Sequence, residues 1–309
     1  MNKAVIITGF GSIGKRHVEN LLDMGVTPFV LTKYPDSQIK AIFVSKLEDI
    51  SENVKCAIIC SPTYRHLGDI SELSALGVRN FLVEKPIAQN IEQAEKILNL
   101  AHKEKLNVYA AYNMRQLLCF NVIKHFIRQN LSAIRIVEIC AGHYLPEWRP
   151  YKDYRKSYSA HREEGGGVDL DLSHEIDYML WLFGEPMGQN ILKAKISELD
   201  MDSPDIFVGT YRYPSFVVTV KLDCIRRKKE RYMRIICENG HSLYCDFVNN
   251  TIRQCLSLNG PEEITGDENL FDMNKTYIDE IKEFLGQMPV KERLLTTLEE
   301  SVRVLRAID

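Results

Sequence analysis

Short apolar runs alternate with longer amphipathic stretches over the first third of the chain. Residues 4–8, 28–32, 42–44, 56–60, 81–83 and 108–112 are brief, nearly continuous apolar segments rich in Val and Ile, the pattern of strands buried on both faces. Between them, residues 15–24, 64–76 and 91–103 carry the spacing of amphipathic helices. Strand and helix in strict alternation predict a doubly wound parallel sheet with right-handed crossovers. The strand ends Gly9, Ser61, Lys85 and Asn113 then share one edge, where open α/β sheets bind ligands.

After a helix predicted over residues 116–130 the pattern changes. Residues 134–141, 189–197, 206–212, 216–222, 232–237 and 243–248 alternate in polarity, as in Val218-Thr219-Val220-Lys221-Leu222. This is the signature of a half-solvated, predominantly antiparallel sheet, here of about six strands. Residues 277–287 and 293–308 read as two closing amphipathic helices.

The first interruption in the apolar pattern is chemically pointed. Gly9-Phe10-Gly11-Ser12-Ile13-Gly14 follows the first strand and opens the first helix. Gly9 permits the tight turn, Gly11 lets the backbone approach a pyrophosphate, and Gly14 lets the helix pack on the sheet. Ser12 and Ile13 bring helix N-terminal amides to the phosphates. The fold class is therefore α/β: an N-terminal doubly wound Rossmann domain, residues 1–118, and a C-terminal α+β domain with a mostly antiparallel open sheet, residues 119–309. The C-terminal helix is free to pack back on the first domain. An acidic residue commonly closes the second strand, ~20 residues after the glycines, to bind the ribose 2′-hydroxyl of NAD. Here that place reads Thr32-Lys33-Tyr34, a hydroxyl and a cation better suited to a 2′-phosphate, with Asp36 able to reach back. NADP is favoured over NAD.

The fifth apolar run, Phe81-Leu82-Val83, ends abruptly in Glu84-Lys85-Pro86. Proline has no N–H and holds the preceding residue extended, so the strand stops and Lys85 sits at its tip.

Composition narrows the partners. Basic and acidic residues, 39 and 42, are well mixed and leave a net charge of −3. Nothing there favours nucleic acid or an anionic membrane. No apolar run approaches the ~20 residues of a membrane span, and Met1-Asn2-Lys3 leads straight into a strand rather than a signal peptide. Eight scattered cysteines without a Cys-x-x-Cys pair predict reduced thiols in a cytoplasmic protein and no metal site.

Residues 142–167 form a long aperiodic insertion crowded with Tyr144, Trp148, Arg149, Tyr151, Lys152, Tyr154, Arg155, Tyr158, His161 and Arg162. Aromatic rings stack on sugar faces and cations pair with carboxylate or phosphate, so one reading is a site for an anionic carbohydrate, a sugar acid or nucleotide sugar. The other is a subunit interface, which enriches the same residues. Gly165-Gly166-Gly167 then leads to Val168-Asp169-Leu170-Asp171-Leu172-Ser173-His174, which delivers His174 at a helix start.

Taken together, the glycine motif, Ser61-Pro62-Thr63-Tyr64-Arg65-His66, Glu84-Lys85-Pro86 and Asn113 resemble the glucose–fructose oxidoreductase/inositol dehydrogenase (Gfo/Idh/MocA) family over the whole first half. The resemblance implies that Lys85 lies between nicotinamide and substrate. It also implies that Ser61, Pro62, Thr63 and His66 line the cofactor, and that Lys85–Pro86 is a cis peptide. It implies a second domain whose open sheet mediates homodimers or homotetramers. The family commonly pairs an acid with a histidine in Asp-x-x-x-His. Here residue 170 is Leu, and Asp171, three before His174, is the nearest counterpart.

The implied reaction moves hydride between a nicotinamide and a secondary alcohol or ketone of a sugar, sugar acid or nucleotide sugar. Such a step needs a group that exchanges the hydroxyl proton and a cation that stabilises developing alkoxide. His174 fits the first role and Lys85 the second, with Glu84 orienting Lys85 or contacting the cofactor and with Asn113 and Arg115 holding substrate or nicotinamide amides. Tyr144, Trp148, Arg149 and Tyr158 are candidate substrate contacts. Two other classes stay open: an NAD-dependent glycosidase or epimerase with transient redox, and a non-catalytic nucleotide-binding regulator.

Overall fold

The structure, a computed structural model, describes residues 4–50, 54–148, 150–257, 261–289 and 292–309. The chain forms two compact units, one of residues 1–116 with 274–305 and the other of residues 117–273 with 306–309.

The first unit is built on six parallel strands: β1 (Val5–Thr8), β2 (Phe29–Leu31), β3 (Ile42–Val44), β4 (Cys56–Ile59), β5 (Asn80–Glu84) and β6 (Asn107–Ala111). Their order in the sheet is β3-β2-β1-β4-β5-β6. The order reverses between β1 and β4, which opens the ligand crevice of doubly wound folds at the carboxyl ends of these strands. Helices α1 (Ser12–Asp23), α2 (His66–Ala75) and α3 (Ile91–Glu104) are the crossovers. Every residue of β1 and β4 is buried, as continuous apolar strands covered on both faces should be.

Part of that cover comes from far along the chain. Ile281, Phe284, Leu285 and Leu295 join Val5, Ile7, Ile58, Leu82 and the α1 residues Val18 and Leu21 in one apolar cluster. A two-residue strand, Thr296–Thr297, adds to β6 in the antiparallel sense and makes the sheet seven-stranded. The division expected at residue 118 is thus crossed a second time. A stretch assigned by pattern to the second domain completes the first, because one sheet face still needs apolar cover.

Among the described residues the second unit carries eight strands: β7 (Ile134–Gly142), β8 (Gly188–Ala194), β9 (Ile206–Arg212), β10 (Val217–Asp223), β11 (Glu230–Cys237), β12 (Ser242–Asp246), β13 (Thr251–Cys255) and β14 (Glu263–Thr265). The order is β14-β13-β12-β11-β7-β10-β9-β8, with β7 and β10 parallel and the other neighbours antiparallel. Two of these strands, β13 and β14, exceed the six expected. All three residues of β14 are exposed, and three residues are too few to establish an alternation. Val218, Val220 and Leu222 of β10 are buried on one face, as the alternation predicts. Helices α4 (Cys119–Asn130) and α5 (His174–Phe183) belong to the same unit. They meet through Phe120, whose ring lies 5.4 Å from both Tyr178 and Trp181.

Residues 142–167 are more regular than their composition suggests. A short helix, Leu145–Trp148, is followed by three 3-10 turns at Tyr154–Lys156, Tyr158–Ala160 and Arg162–Glu164. Among the described residues, no helix is long and apolar enough to cross a membrane.

Candidate active site

The crevice edge of the first unit begins at Gly9, where φ is +83°. A side chain there would be strained, and its Cβ would fall 2.6 Å from the Cys60 carbonyl oxygen. A Cβ on Gly14 would fall 2.2 Å from the Gly9 carbonyl oxygen, whereas one on Gly11 would meet nothing within 4 Å. Gly9 and Gly14 therefore serve packing, and Gly11 faces open space. Gly11 caps α1 without any side-chain bond, and the Lys15 amide donates to its carbonyl at 2.9 Å. The amides of the first turn, at Ser12, Ile13 and Gly14, precede the intrahelical ladder, so they and the helix dipole suit an anion. At the tip of β4, Ser61 is buried and its hydroxyl has no hydrogen-bond partner among the described residues. A cradle of amides with a vacant donor–acceptor beside it fits a dinucleotide. Pro62 is exposed and Thr63 half-buried, and they open the turn that follows.

Next along the edge, β5 ends on Glu84, and the Lys85–Pro86 peptide is cis, as the resemblance implies. Glu84 is held at both oxygens. His17 Nε2 lies 2.8 Å from Oε1, and the Lys85 amide donates to Oε2 at 3.3 Å. His66, expected beside the cofactor, has both ring nitrogens against main-chain carbonyls. It is 1% exposed, with Nε2 3.0 Å from the Ser61 carbonyl oxygen and Nδ1 3.1 Å from that of Ile87. The ring staples the β4 tip to the turn after Glu84-Lys85-Pro86. Burial pushes its pKa down, against the pull of the two carbonyls and of Asp69 and Glu84. A neutral ring donates to one carbonyl and merely abuts the other.

Asn113 and Arg115 each have a partner in the returning segment. Asn113 Nδ2 donates to Thr276 Oγ1 at 2.6 Å, and Arg115, 3% exposed, pairs with Glu300 at 3.2 Å. Both anchor the returning segment 274–305 to the end of β6. At the end of β2, Thr32 Oγ1 accepts from the Tyr34 amide at 3.1 Å, while Lys33 and Tyr34 are exposed. Asp36 turns to Lys15 at 3.3 Å and to the Gln38 amide, whose hydrogen bond holds its carboxyl below the usual range.

In the second unit, buried Asp171 closes the short helix Val168–Asp171, and half-buried His174 opens α5. Its neighbour Asp169 is occupied, with Arg162 at 3.1 Å and Lys193 at 3.7 Å. Beneath His174, fully buried Glu175 takes a two-pronged pair from Arg231, at 2.7 and 3.1 Å. That anchor escapes the sequence pattern because its partner lies 56 residues on.

The aromatic insertion encloses a cavity of about 460 Å³ lined by Trp148, Tyr154, Tyr158, Lys152, Lys156 and Ser157 among others. Trp148 Nε1 donates to the His143 carbonyl at 2.8 Å, which fixes the indole. Tyr144 stands apart from this wall, with the Arg227 guanidinium 3.9 Å over its ring. Arg149 lies outside the described residues.

The geometry defines a dinucleotide-binding unit followed by a sheet unit with its own aromatic cavity. Residues 3–112 match the family model described as "Oxidoreductase family, NAD-binding Rossmann fold", and residues 123–242 match that of the GFO/IDH/MocA C-terminal domain. The chain belongs to the Gfo/Idh/MocA oxidoreductase family. An uncharacterized oxidoreductase of Synechocystis sp. is 26% identical over 215 residues, 65% of this chain and 56% of that protein. A levoglucosan dehydrogenase solved with NADH superposes with TM-score 0.81 at 16% identity, covering 100% of this chain and 96% of that one. The WlbA dehydrogenase of Bordetella pertussis, solved with NADH and UDP-GlcNAcA, superposes with TM-score 0.78 at 16% identity, covering 99% and 94%. These structural likenesses are likenesses of fold.

Proposed function

We propose that the protein is an NAD(P)-dependent dehydrogenase or reductase acting on a secondary alcohol or ketone of a sugar, sugar acid or nucleotide sugar. One observation carries this reading: Lys85 stands at the carboxyl end of β5, on the same sheet edge as the Gly9-to-Gly14 cradle. A bound nicotinamide would supply the hydride carrier. Lys85 polarises the reacting oxygen, His174 exchanges its proton, and Asp171 supports the imidazole. The substrate class is supported by the sugar-type ligand of the WlbA dehydrogenase and by a cavity that pairs aromatic walls with Lys152 and Lys156. An exposed cation, Lys33, at the end of β2 and the engagement of Asp36 by Lys15 and the Gln38 amide support NADP. The sheet face that bears exposed Ile136, Val217 and Leu192 supports a homodimer or homotetramer, to be checked by light scattering, where a monomer would refute it.

The test is kinetic. Lys85→Ala and His174→Ala should keep nucleotide binding and lose about 100-fold or more in turnover of a sugar or nucleotide-sugar substrate. Wild-type turnover in both variants would overturn the assignment.

A further inference from the structure

His17 has no part in the chemistry just proposed, yet it is 0% exposed and sits in the helix that opens with the phosphate cradle. Its Nε2 lies 2.8 Å from Glu84 Oε1, and its Nδ1 has no hydrogen-bond partner among the described residues. The edge of the ring packs on Tyr277, 5.8 Å between centroids, and Arg16 in turn lies over the Tyr277 ring at 4.9 Å. A histidine that merely filled space would not need its ring aimed at a carboxylate. The tautomer that donates from Nε2 leaves a bare lone pair at Nδ1, less costly to bury than an unpaired N–H.

The carboxylate has a second task. Glu84 Oε2 accepts from the main-chain amide of the next residue, Lys85, at 3.3 Å. The line His17–Glu84–Lys85 thus runs from the second turn of α1 to the backbone of the proposed catalytic lysine. We infer that His17 is a positioning residue for Lys85: through Glu84 it ties the lysine's main chain to the helix whose first turn holds the dinucleotide phosphates. The inference deepens the function proposed above and rests on it. Its physical content is a fixed distance between a phosphate cradle and a cationic tip. Hydride chemistry loses rate steeply when reacting groups drift by about 1 Å. The neighbouring Cys60 thiol, pushed up by burial and by Glu84, stays protonated and does not compete with His17 as a charged group beside that carboxylate.

The test compares His17→Leu, which removes the donor, with His17→Gln, which keeps an N–H near the Nε2 position. Amide hydrogen exchange at Lys85 should quicken about tenfold or more in His17→Leu and return toward wild type in His17→Gln, a readout independent of turnover. In folded His17→Leu, kcat should fall about 10- to 100-fold with the dinucleotide Kd within about threefold of wild type. His17→Leu should add nothing further in a Lys85→Ala background. Unchanged Lys85 exchange, wild-type kcat in the folded variant, or a full additive loss on top of Lys85→Ala each overturns the proposal. Impaired Lys85→Ala with normal His17→Leu removes this inference and leaves the proposed function standing; wild-type turnover in Lys85→Ala removes both.

Discussion

The side-chain amide of Asn113 donates to the hydroxyl of Thr276 at 2.6 Å, a bond within one unit between residues 163 positions apart. Around it, Gln116 donates to Glu283 at 2.7 Å, and the other Glu283 oxygen accepts from the amides of Leu294 and Leu295. Glu283 is therefore a buried hub with three donors. Glu283→Ala should cost about 3 kcal/mol in urea unfolding, and Thr276→Val about 1–2 kcal/mol, since each strands buried polar groups. A loss under about 0.5 kcal/mol for Glu283→Ala would contradict the hub.

The cradle glycines should separate by role. Gly14→Ala meets backbone at 2.2 Å and should lower the melting temperature by several degrees, as overpacking of about 1–3 kcal/mol does. Gly11→Ala meets nothing and should fold normally while weakening dinucleotide binding about tenfold or more. Calorimetry with and without NADPH reads both, and equal effects of the two substitutions would refute the division.

The end of β2 makes a cofactor prediction. NADPH should bind more tightly than NADH, and Lys33→Ala should narrow that ratio by about tenfold, the loss of roughly one charged contact at ~1.4 kcal/mol. Fluorescence titration of both nucleotides decides it. A ratio unmoved by Lys33→Ala would assign the preference elsewhere.

Within α5, the fully buried Glu175 depends on Arg231. Arg231→Leu leaves that carboxylate uncompensated and should cost about 3–5 kcal/mol, whereas the paired change Glu175→Leu with Arg231→Leu should recover much of it. Denaturant midpoints of the two variants check this, and equal losses would refute it.

His66 predicts a pH dependence. Its folded pKa lies below the unfolded value of 6.5, so between the two values the unfolded chain binds more protons. Its stabilising contribution is full above 6.5 and is lost as pH falls from there through the folded value. Wild type should lose more stability between pH 8 and pH 5 than His66→Gln does. Parallel curves would exclude His66 as the source.

The legible and illegible parts of the fold differ for a physical reason. Strands β1, β4 and β5 could be read because burial on both faces leaves unbroken apolar runs, and α1 because three glycines at fixed spacing mark its start. Strand β14 and Thr296–Thr297 could not, being only two or three residues long. The residue types of the site were visible, but their partners were not. For Asn113 and Arg115 a sequence displays donors without showing that Thr276 and Glu300 supply acceptors. His17 was overlooked for the same reason: its carboxylate lies 67 residues away.

Segment 274–305 has a consequence for how the molecule is made. A chain leaving the ribosome would present all six parallel strands long before Ile281, Phe284, Leu285 and Leu295 emerge to cover them. The dinucleotide unit cannot close while its apolar face waits for residues synthesised after the whole second sheet. The first unit thus stays unfinished until after the second sheet has emerged, and severing segment 274–305 uncovers the core around β1 and α1.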